Sequence, residues 1–292
     1  MSTSSESDQL PEQKKGDLNW TDIKKPADKH SSLRLQIWET PLMRRGSSVL
    51  DAFAWEEVMC RRVGAGHPPV AHIWRHPDAF VAGLRDRRLP RAVEAMERIR
   101  SKGIAVCVRP SGGAAVPLNP GVVNVSLILP NPEHAMNIHD DFREMASIIA
   151  ESLTPWSAQA KTGEVQGAFC PGDYDVSVGG LKFCGIAQRR QAKAYIITAF
   201  IIVEGQGDKL AADVRRFYEE ASDGLTEGYP EVKPGTMASL QEVADVPSTA
   251  SYTASLVRTL RKRYPYAETE RVLTVGSDEV RLTAEQMKLR YD

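Results

Sequence analysis

A cysteine and a lysine stand twelve positions apart in the stretch GAFCPGDYDVSVGGLKFCGIAQRR, residues 167–190. Cys170 immediately precedes a Pro-Gly pair, which is typical of a tight turn, where a thiol can be held at a strand end and face a cleft. If Lys182 lies within reach of that thiol, its ammonium favours the thiolate, which is the nucleophilic form. The pair indicates nucleophilic chemistry at Cys170. The alternative is a buried structural thiol, because most cysteines pack as small apolar side chains.

The Gly179-Gly180 pair between two short strand patterns predicts a β-hairpin with a primed two-residue turn, because glycine adopts positive φ without steric cost. This register implies four cross-strand pairs: Val178 with Leu181, Ser177 with Lys182, Val176 with Phe183, and Asp175 with Cys184. Since side chains alternate between faces, the pairs that contain Lys182 and Cys184 form one polar face. That face is either the solvated side of the hairpin or one wall of a site, and Gly185 in the same strand leaves room for a ligand.

The other cysteines and the histidines favour structural roles. Cys60 lies in an amphipathic helical pattern and Cys107 in the strand pattern IAVCVRP, so both are expected in the core. Cys184, in the middle of a strand pattern, is expected to be a wall residue. The six histidines form no persuasive ligand set with nearby carboxylates, so we expect no metal site and no cofactor.

A second candidate site is the loop in VRPSGGAAVPLNPGVVNVS, residues 108–126. Arg109, Ser111, Gly112 and Gly113 lie between two strand patterns. The glycines let backbone N–H groups approach a ligand carbonyl or phosphate, with a cation alongside. The loop lacks the ending of a P-loop and the spacing of a dinucleotide fingerprint, so neither is expected. An ordinary hairpin or bulge between two core strands is the alternative.

The composition gives no sign of a nucleic-acid or membrane partner. Lysine and arginine total 37 against 38 aspartate and glutamate in 292 residues, so no charge excess would attract a polyanion. The longest apolar run, AYIITAFIIVEG, is too short to span a bilayer and is rich in β-branched residues, which predicts a strand buried on both faces. The four cysteines form no CxxC pair and follow no secretory signal, so we expect reduced thiols and a cytoplasmic protein.

Helical and strand patterns are intermixed along the chain, with hairpins between them. This arrangement predicts an α/β (α+β) fold with a mixed sheet rather than a regular doubly wound fold. Five apolar residues recur at helical spacing and predict a helix that packs on the sheet: Ile138, Phe142, Met145, Ile149 and Leu153. Residues 1–32 are expected to be a mobile tail, 33–245 the domain that carries both candidate sites, and 246–292 a mostly helical extension of the same domain.

Both stretches carry motifs that resemble those of one known family. Arg109-Pro-Ser-Gly-Gly-Ala-Ala-Val116, followed by Gly121 and Asn124, resembles the Arg-x-Ser-Gly-Gly-x-Ala-Val…Gly…Asn motif of the lipoate–protein ligase and octanoyltransferase superfamily. YDVSVGGLKFCGIAQRR is similar to that superfamily's Asp-Leu-x-x-x-Gly-x-Lys-x-x-Gly-x-x-Gln block. The resemblance implies a mixed-sheet α/β domain like the catalytic domain of biotin protein ligases. It implies catalytic roles for Cys170 and Lys182 and substrate contacts by eight residues: Arg109, Ser111, Gly112, Gly113, Val116, Asp175, Gly185 and Gln188.

Two further stretches, FCPGDYDVS and WRHPDAFVAGLRDRRLP, resemble one branch of the superfamily, and Leu84 follows Gly83 where the ligases place an arginine. In that branch, an octanoyl group moves from the glycine cleavage system H protein to lipoyl domains of 2-oxoacid dehydrogenases. The resemblance implies that Cys170 carries the acyl group as a thioester and that ATP is not needed. The alternatives are an ATP-dependent lipoate or octanoate ligase, a transferase that takes octanoate from acyl carrier protein, and a non-catalytic acyl-binding or lipoyl-domain-binding protein.

Overall fold

The computed structural model describes residues 18–19, 34–132, 138–265 and 275–291. The strands in these ranges are β1 (Leu18–Asn19), β2 (Gln36–Glu39), β3 (Val70–Trp74), β4 (Ala79–Ala82), β5 (Ala105–Val108), β6 (Val116–Leu118), β7 (Val122–Pro130), β8 (Ala160–Thr162), β9 (Val176–Val178), β10 (Leu181–Arg190) and β11 (Ala194–Ile202). The α-helices are α1 (Leu50–Gly64), α2 (Ala92–Arg100), α3 (Ile138–Ser152), α4 (Gly207–Ala221), α5 (Leu240–Ala244), α6 (Thr249–Arg263) and α7 (Ser277–Tyr291). Within the described ranges, every helix is too short or too polar to cross a membrane.

The larger sheet has eight strands in the order β1-β8-β9-β10-β11-β7-β3-β2. β2 runs parallel to β3, whereas the other neighbouring strands are antiparallel, so the sheet is mixed, as the sequence predicts. β11, which is the long apolar run, lies between β10 and β7, and eight of its nine residues are buried. A strand covered on both faces needs apolar side chains at nearly every position, which explains the missing alternation.

The larger sheet separates two layers of the core. On one face, Val125 and Leu127 of β7 pack with Ile149 of α3 and Leu256 of α6. On the opposite face, α1 packs over β3, β7 and β11. The helix predicted from the apolar spacing is α3, whose buried side chains face the sheet. Each fully buried Leu or Ile contributes about 1.5–3 kcal/mol relative to an exposed one, so both layers hold the sheet in place.

A second sheet has three strands in the order β5-β4-β6. β4 pairs in parallel with β5 and antiparallel with β6. Helix α4 packs on this sheet, and the rings of Phe80 in β4 and Phe217 in α4 have centroids 4.9 Å apart. The loop 109–115 joins β5 to β6, so the small sheet positions the first sequence motif.

The hairpin of β9 and β10 departs from the predicted register after its first two pairs. A β-bulge between Lys182 and Cys184 shifts the register, and Val176 lies opposite Cys184. The predicted pairs of Val176 with Phe183 and of Asp175 with Cys184 are therefore wrong. Because a bulge places two residues opposite one, strict alternation is interrupted: Phe183 and Cys184 both join the core beside α3, whereas Lys182 lies near Phe200 in the other layer.

Both ends of the described chain pack on the main body. Helix α6 places Tyr252 and Leu256 in the core beside α3, and α7 places Met287 in the core on the α1 side. These contacts fit the predicted extension 246–292, although its boundary stays a prediction. Of the predicted tail, Leu18–Asn19 pairs with β8, and the other residues of 1–32 lie outside the described part of the chain.

Candidate active site

Cys170 lies in the loop between β8 and β9, and it is 7% exposed. Its backbone has φ of +49°, in the left-handed region. That conformation costs a residue with a Cβ atom about 1–3 kcal/mol, so surrounding contacts must hold it. The loop therefore presents the thiol in a conformation that the isolated peptide would rarely adopt.

Lys182 supplies the contacts that hold this loop. Its Nζ donates to the backbone oxygens of Phe169, at 2.8 Å, and Cys170, at 2.6 Å, and it lies 2.9 Å from Oδ1 of Asp175. An ammonium group has three donors, and these three acceptors occupy all of them. The sequence predicts that Lys182 acts on the thiol, whereas in the structure its ammonium binds the carbonyl of the same cysteine.

The ion pair of Lys182 with Asp175 is buried. The two side chains are 0% and 1% exposed, respectively, so the polar face of the hairpin is not a solvated surface. Burial raises the pKa of Asp175 to about 6, although the nearby Lys182 ammonium acts in the opposite direction. Asp175 is therefore linked to the site through Lys182, whose ammonium binds the backbone of Cys170.

The sulfur of Cys170 has two hydrogen-bond donors. Nη2 of Arg109 lies 3.2 Å from Sγ, and the backbone nitrogen of Ala114 lies 3.3 Å from it. Donors that point at a sulfur favour the thiolate over the thiol, and a guanidinium adds its positive charge. The site can therefore hold a nucleophilic sulfur.

The loop 109–115 brings both donors to the sulfur. Nη2 of Arg109 also donates to the backbone oxygen of Ala114, so the arginine closes the loop on itself. Gly113 has φ of +99°, and a Cβ atom there would lie 2.5 Å from Nη2 of Arg109 and 3.0 Å from Sγ of Cys170. Only glycine fits this close approach without displacing one of the two groups.

A narrow cavity lies beside the sulfur. Its volume is about 20 Å³, which is room for about one water molecule, so an acyl chain enters only if side chains of the lining shift. Most of the lining is apolar, which suits an acyl chain better than a charged ligand. The lining residues are Phe53, Val81, Arg109, Ser111, Val116, Leu118, Asn124, Cys170, Gly185, Ile186, Ala187, Thr198 and Phe200.

The structure brings most of the predicted site residues together. Five of them line the cavity: Arg109, Ser111, Val116, Cys170 and Gly185. Gly112 lies in the same loop, with open space around its α-carbon. Gln188 is placed elsewhere, because its Nε2 donates to Asp141 of α3 at 2.9 Å, so its substrate contact stays a prediction.

Sequence reasoning missed the Ala114 N–H and the ring of Phe200. A backbone N–H has no residue-type signature, and the only signal for it was the adjacent glycine pair. Phe200 lies inside the apolar run of β11, where one aromatic residue is ordinary core. Its ring stacks on Phe169 with centroids 5.6 Å apart and forms part of the cavity wall.

The remaining cysteines lie away from the cavity. Cys107 is buried in the core of the small sheet. Burial raises the pKa of Cys60 to about 12 and raises that of Cys184 well above its usual value, so both thiols stay protonated. Among the described residues, no cluster of three or more histidine, cysteine, aspartate or glutamate side chains could hold a metal ion.

The sequence is similar to enzymes of protein lipoylation. An octanoyl-[GcvH]:protein N-octanoyltransferase of Geobacillus kaustophilus is 38% identical over 220 residues, which are 73% of this chain and 78% of the relative. A lipoyl-[GcvH]:protein N-lipoyltransferase of Listeria monocytogenes is 29% identical over 86% of this chain and 91% of the relative.

Two solved structures share the fold. A lipoate-protein ligase A bound with ATP aligns with a TM-score of 0.64 and 23% identity, over 88% of this chain and 94% of that one. A bi-partite lipoate protein ligase from Thermoplasma acidophilum aligns with a TM-score of 0.62 and 22% identity, over 88% of this chain and 92% of that one. Residues 48–261 match the lipoyl protein ligase A/B catalytic domain. The chain therefore belongs to the lipoyl protein ligase A/B catalytic domain family.

Proposed function

We propose that this protein is an acyltransferase of protein lipoylation, which moves an octanoyl or lipoyl group from GcvH, the glycine cleavage system H protein, to another protein through a thioester on Cys170. The observation that supports the thioester most is the Cys170 sulfur, which lies between two N–H donors beside an apolar cavity. The names of the two relatives describe GcvH-dependent transfer of octanoyl and lipoyl groups.

The acceptor and the place of the reaction are also part of the proposal. We propose lipoyl domains of 2-oxoacid dehydrogenase acyltransferase subunits as acceptors, because they carry the lysine that lipoylation modifies. The nucleophile must remain a thiol between turnovers, and a reducing compartment maintains that state, so we propose the cytoplasm. Cys170 forms no disulfide in the structure.

The first half of the reaction breaks the donor amide. The Cys170 thiolate adds to the acyl carbonyl carbon, and the carbon–nitrogen bond of the resulting tetrahedral species then breaks. The donor lysine leaves as an amine after it takes up the proton that the thiol released. In the second half, the acceptor lysine adds to the thioester, the carbon–sulfur bond breaks, and the proton of the amine returns to the sulfur. One amide replaces another, so ATP is not required in principle.

The two donors at the sulfur serve this chemistry in different states. Before attack, the Arg109 guanidinium and the Ala114 N–H donate to the sulfur. When negative charge moves from sulfur to the carbonyl oxygen, the same donors are close enough to stabilise it. Lys182, whose donors bind two carbonyls and Asp175, holds the loop in position rather than contacting the acyl group.

The test is transfer from octanoylated GcvH to an apo lipoyl domain without ATP. We expect Cys170→Ala to abolish transfer, because the acyl carrier is gone, and we expect intact-mass analysis of the unaltered protein with donor alone to show an octanoyl adduct on Cys170. Cys184→Ala is the matched control and retains transfer, because that thiol lies in the core beside α3.

Two outcomes contradict parts of this proposal. Normal transfer by Cys170→Ala excludes the thioester. Strict dependence of transfer on ATP and magnesium indicates a ligase, in which Arg109 and Lys182 would hold an acyl-adenylate.

A further inference from the structure

We infer that Asp86 and Tyr218 form a positioning pair that fixes the peptide between Ala114 and Ala115 and so aims Nη2 of Arg109 at the Cys170 sulfur. Neither residue lines the cavity or donates to the sulfur. Asp86 belongs to the stretch WRHPDAFVAGLRDRRLP, where the sequence assigns it no role, and Tyr218 lies outside the motifs. Asp86 lies in a short 3₁₀ helix after β4, and Tyr218 lies in α4. Both side chains are buried.

The direction of each hydrogen bond follows from the chemistry of the groups. Oδ2 of Asp86 accepts from the backbone nitrogen of Gly83 at 2.7 Å, and Oδ1 lies 2.9 Å from the hydroxyl of Tyr218. An ionised carboxylate only accepts, so the single hydroxyl proton of Tyr218 points to Asp86. The hydroxyl oxygen is then an acceptor for the backbone N–H of Ala115, which lies 3.2 Å away.

The peptide between Ala114 and Ala115 transmits this orientation to the sulfur. A peptide unit is planar, so the N–H of Ala115 and the carbonyl of Ala114 turn together. Tyr218 holds the N–H, and Nη2 of Arg109 binds the carbonyl. That same Nη2 lies 3.2 Å from the sulfur, and the N–H of Ala114 lies 3.3 Å from it. The N–H of Ala114 belongs to the preceding peptide, so rotation of this peptide moves the carbonyl that Nη2 of Arg109 binds, and with it the arginine donor of the sulfur.

The loop needs an external anchor because its own sequence does not restrain it. Gly112 and Gly113 precede the peptide, and Gly113 adopts a left-handed conformation. Glycine has the widest backbone freedom of any residue, so many orientations of the next peptide are accessible to this loop.

Helix packing alone does not account for the pair, because other contacts already join the same elements. The segment after β4 is already tied to α4 by the backbone nitrogen of Arg91, which donates to Ala221 at 2.9 Å. Arg98 of α2 also lies 2.9 Å from Glu220 of α4. Burial raises the pKa of Asp86, which shows the cost of an ionised carboxylate there. Because burying this carboxylate costs free energy, we assign it to positioning the peptide rather than to helix packing.

The test is the reactivity of the Cys170 thiol in Tyr218→Phe, which removes the hydroxyl and keeps the ring. The rate of alkylation by iodoacetamide is measured against pH and followed by peptide mass at Cys170. We expect the midpoint of the profile to rise by about one pKa unit, which is a tenfold smaller thiolate fraction below the midpoint. We also expect kcat for octanoyl transfer to fall about tenfold with KM for the donor unchanged. Asp86→Asn should move the midpoint in the same direction.

Tyr252→Phe is the matched control. Its hydroxyl is also buried and also hydrogen-bonded, at 3.1 Å to Ser152, but it lies in the core beside α3. We expect this variant to lose stability while the alkylation midpoint and kcat stay unchanged. The double variant of Tyr218→Phe with Asp86→Asn should shift the midpoint by less than the sum of the two single shifts, because both changes break one chain of contacts.

Unchanged alkylation midpoints in folded Tyr218→Phe and Asp86→Asn overturn the inference. If Tyr218→Phe does not fold, the alkylation midpoint of Asp86→Asn alone tests the inference. The inference rests on the proposed function for its relevance to catalysis, but the alkylation profile measures the thiol without any transfer reaction. A shifted midpoint together with full transfer by Cys170→Ala would support the positioning pair and reject the thioester, so the two failures are distinguishable.

Discussion

The ammonium of Lys182 and the carboxylate of Asp175 show how one buried ion pair fixes the conformation of a strained loop. Both groups are nearly inaccessible, and Nζ of Lys182 also holds the carbonyls of Phe169 and Cys170. Taking two charges out of water is costly, and their attraction offsets this cost only while both are present. The stability of the pair is therefore sensitive to loss of either partner.

We expect Lys182→Met to lower the free energy of unfolding by about 3–5 kcal/mol, because it leaves the Asp175 carboxylate buried without its cation. Urea titration measures this loss. The matched control is Lys262→Met, since Lys262 also pairs with a carboxylate, Glu151, at 2.8 Å, but with its side chain 77% exposed. We expect that change to cost less than about 1 kcal/mol. Equal losses in the two variants would contradict the role given to the buried pair.

Strand β10 has two departures from regular geometry, and both shape the site. The bulge after Lys182 turns Phe183 and Cys184 toward α3, and Gly185 then returns the strand to the cavity side. A Cβ atom at Gly185 would lie 2.6 Å from Cε1 of Phe200, so the glycine lets this ring form the cavity wall.

We expect Gly185→Ala to displace Phe200, lower stability by about 1–3 kcal/mol as other overpacked cores do, and slow octanoyl transfer. Thermal unfolding and the transfer assay measure the two effects. Gly276→Ala is the control for stability, because nothing lies within 4 Å of a Cβ atom there and its φ is not left-handed. If Gly185→Ala leaves stability and transfer unchanged, Phe200 can shift without an energetic penalty, which contradicts the role given to Gly185.

The C-terminal helix α7 connects to the site through Arg189 of β10. That guanidinium pairs with Glu57 of α1 at 2.8 Å and donates to the carbonyl of Pro110 at 2.9 Å and to the hydroxyl of Tyr291 at 3.3 Å. One side chain thus joins the loop of the first motif, α1 and α7. These contacts lead us to expect that α7 unfolds together with the site.

We expect Met287→Ala in α7 to cost about 2–5 kcal/mol and to leave a single unfolding transition, because its side chain is 5% exposed in the shared core. Two spectroscopic probes in one urea titration test this. Leu289→Ala, at a side chain 88% exposed, should change stability by less than about 0.5 kcal/mol. Separate transitions for α7 and the rest would contradict a single domain.

Local sequence patterns were enough to predict the mixed α/β character, the buried strand β11, the helix α3, the hairpin turn and the two segments that meet at Cys170. These features depend on side-chain periodicity and on turn chemistry, which act between residues close in sequence. The register beyond the turn was predicted incorrectly, because a bulge inserts one residue and leaves no mark in the alternation of LKFCG.

The contacts of the thiol come from residues distant in sequence and could not be predicted from it. The donors to the Cys170 sulfur come from residues 61 and 56 positions earlier in the chain, and one of them is a backbone N–H. The spacing of twelve residues suggested Lys182 as the partner of the thiol, but its ammonium binds the backbone carbonyls of Phe169 and Cys170 instead. The direction of a donor depends on how the small sheet and its loop pack against the large sheet, and sequence spacing does not contain that direction.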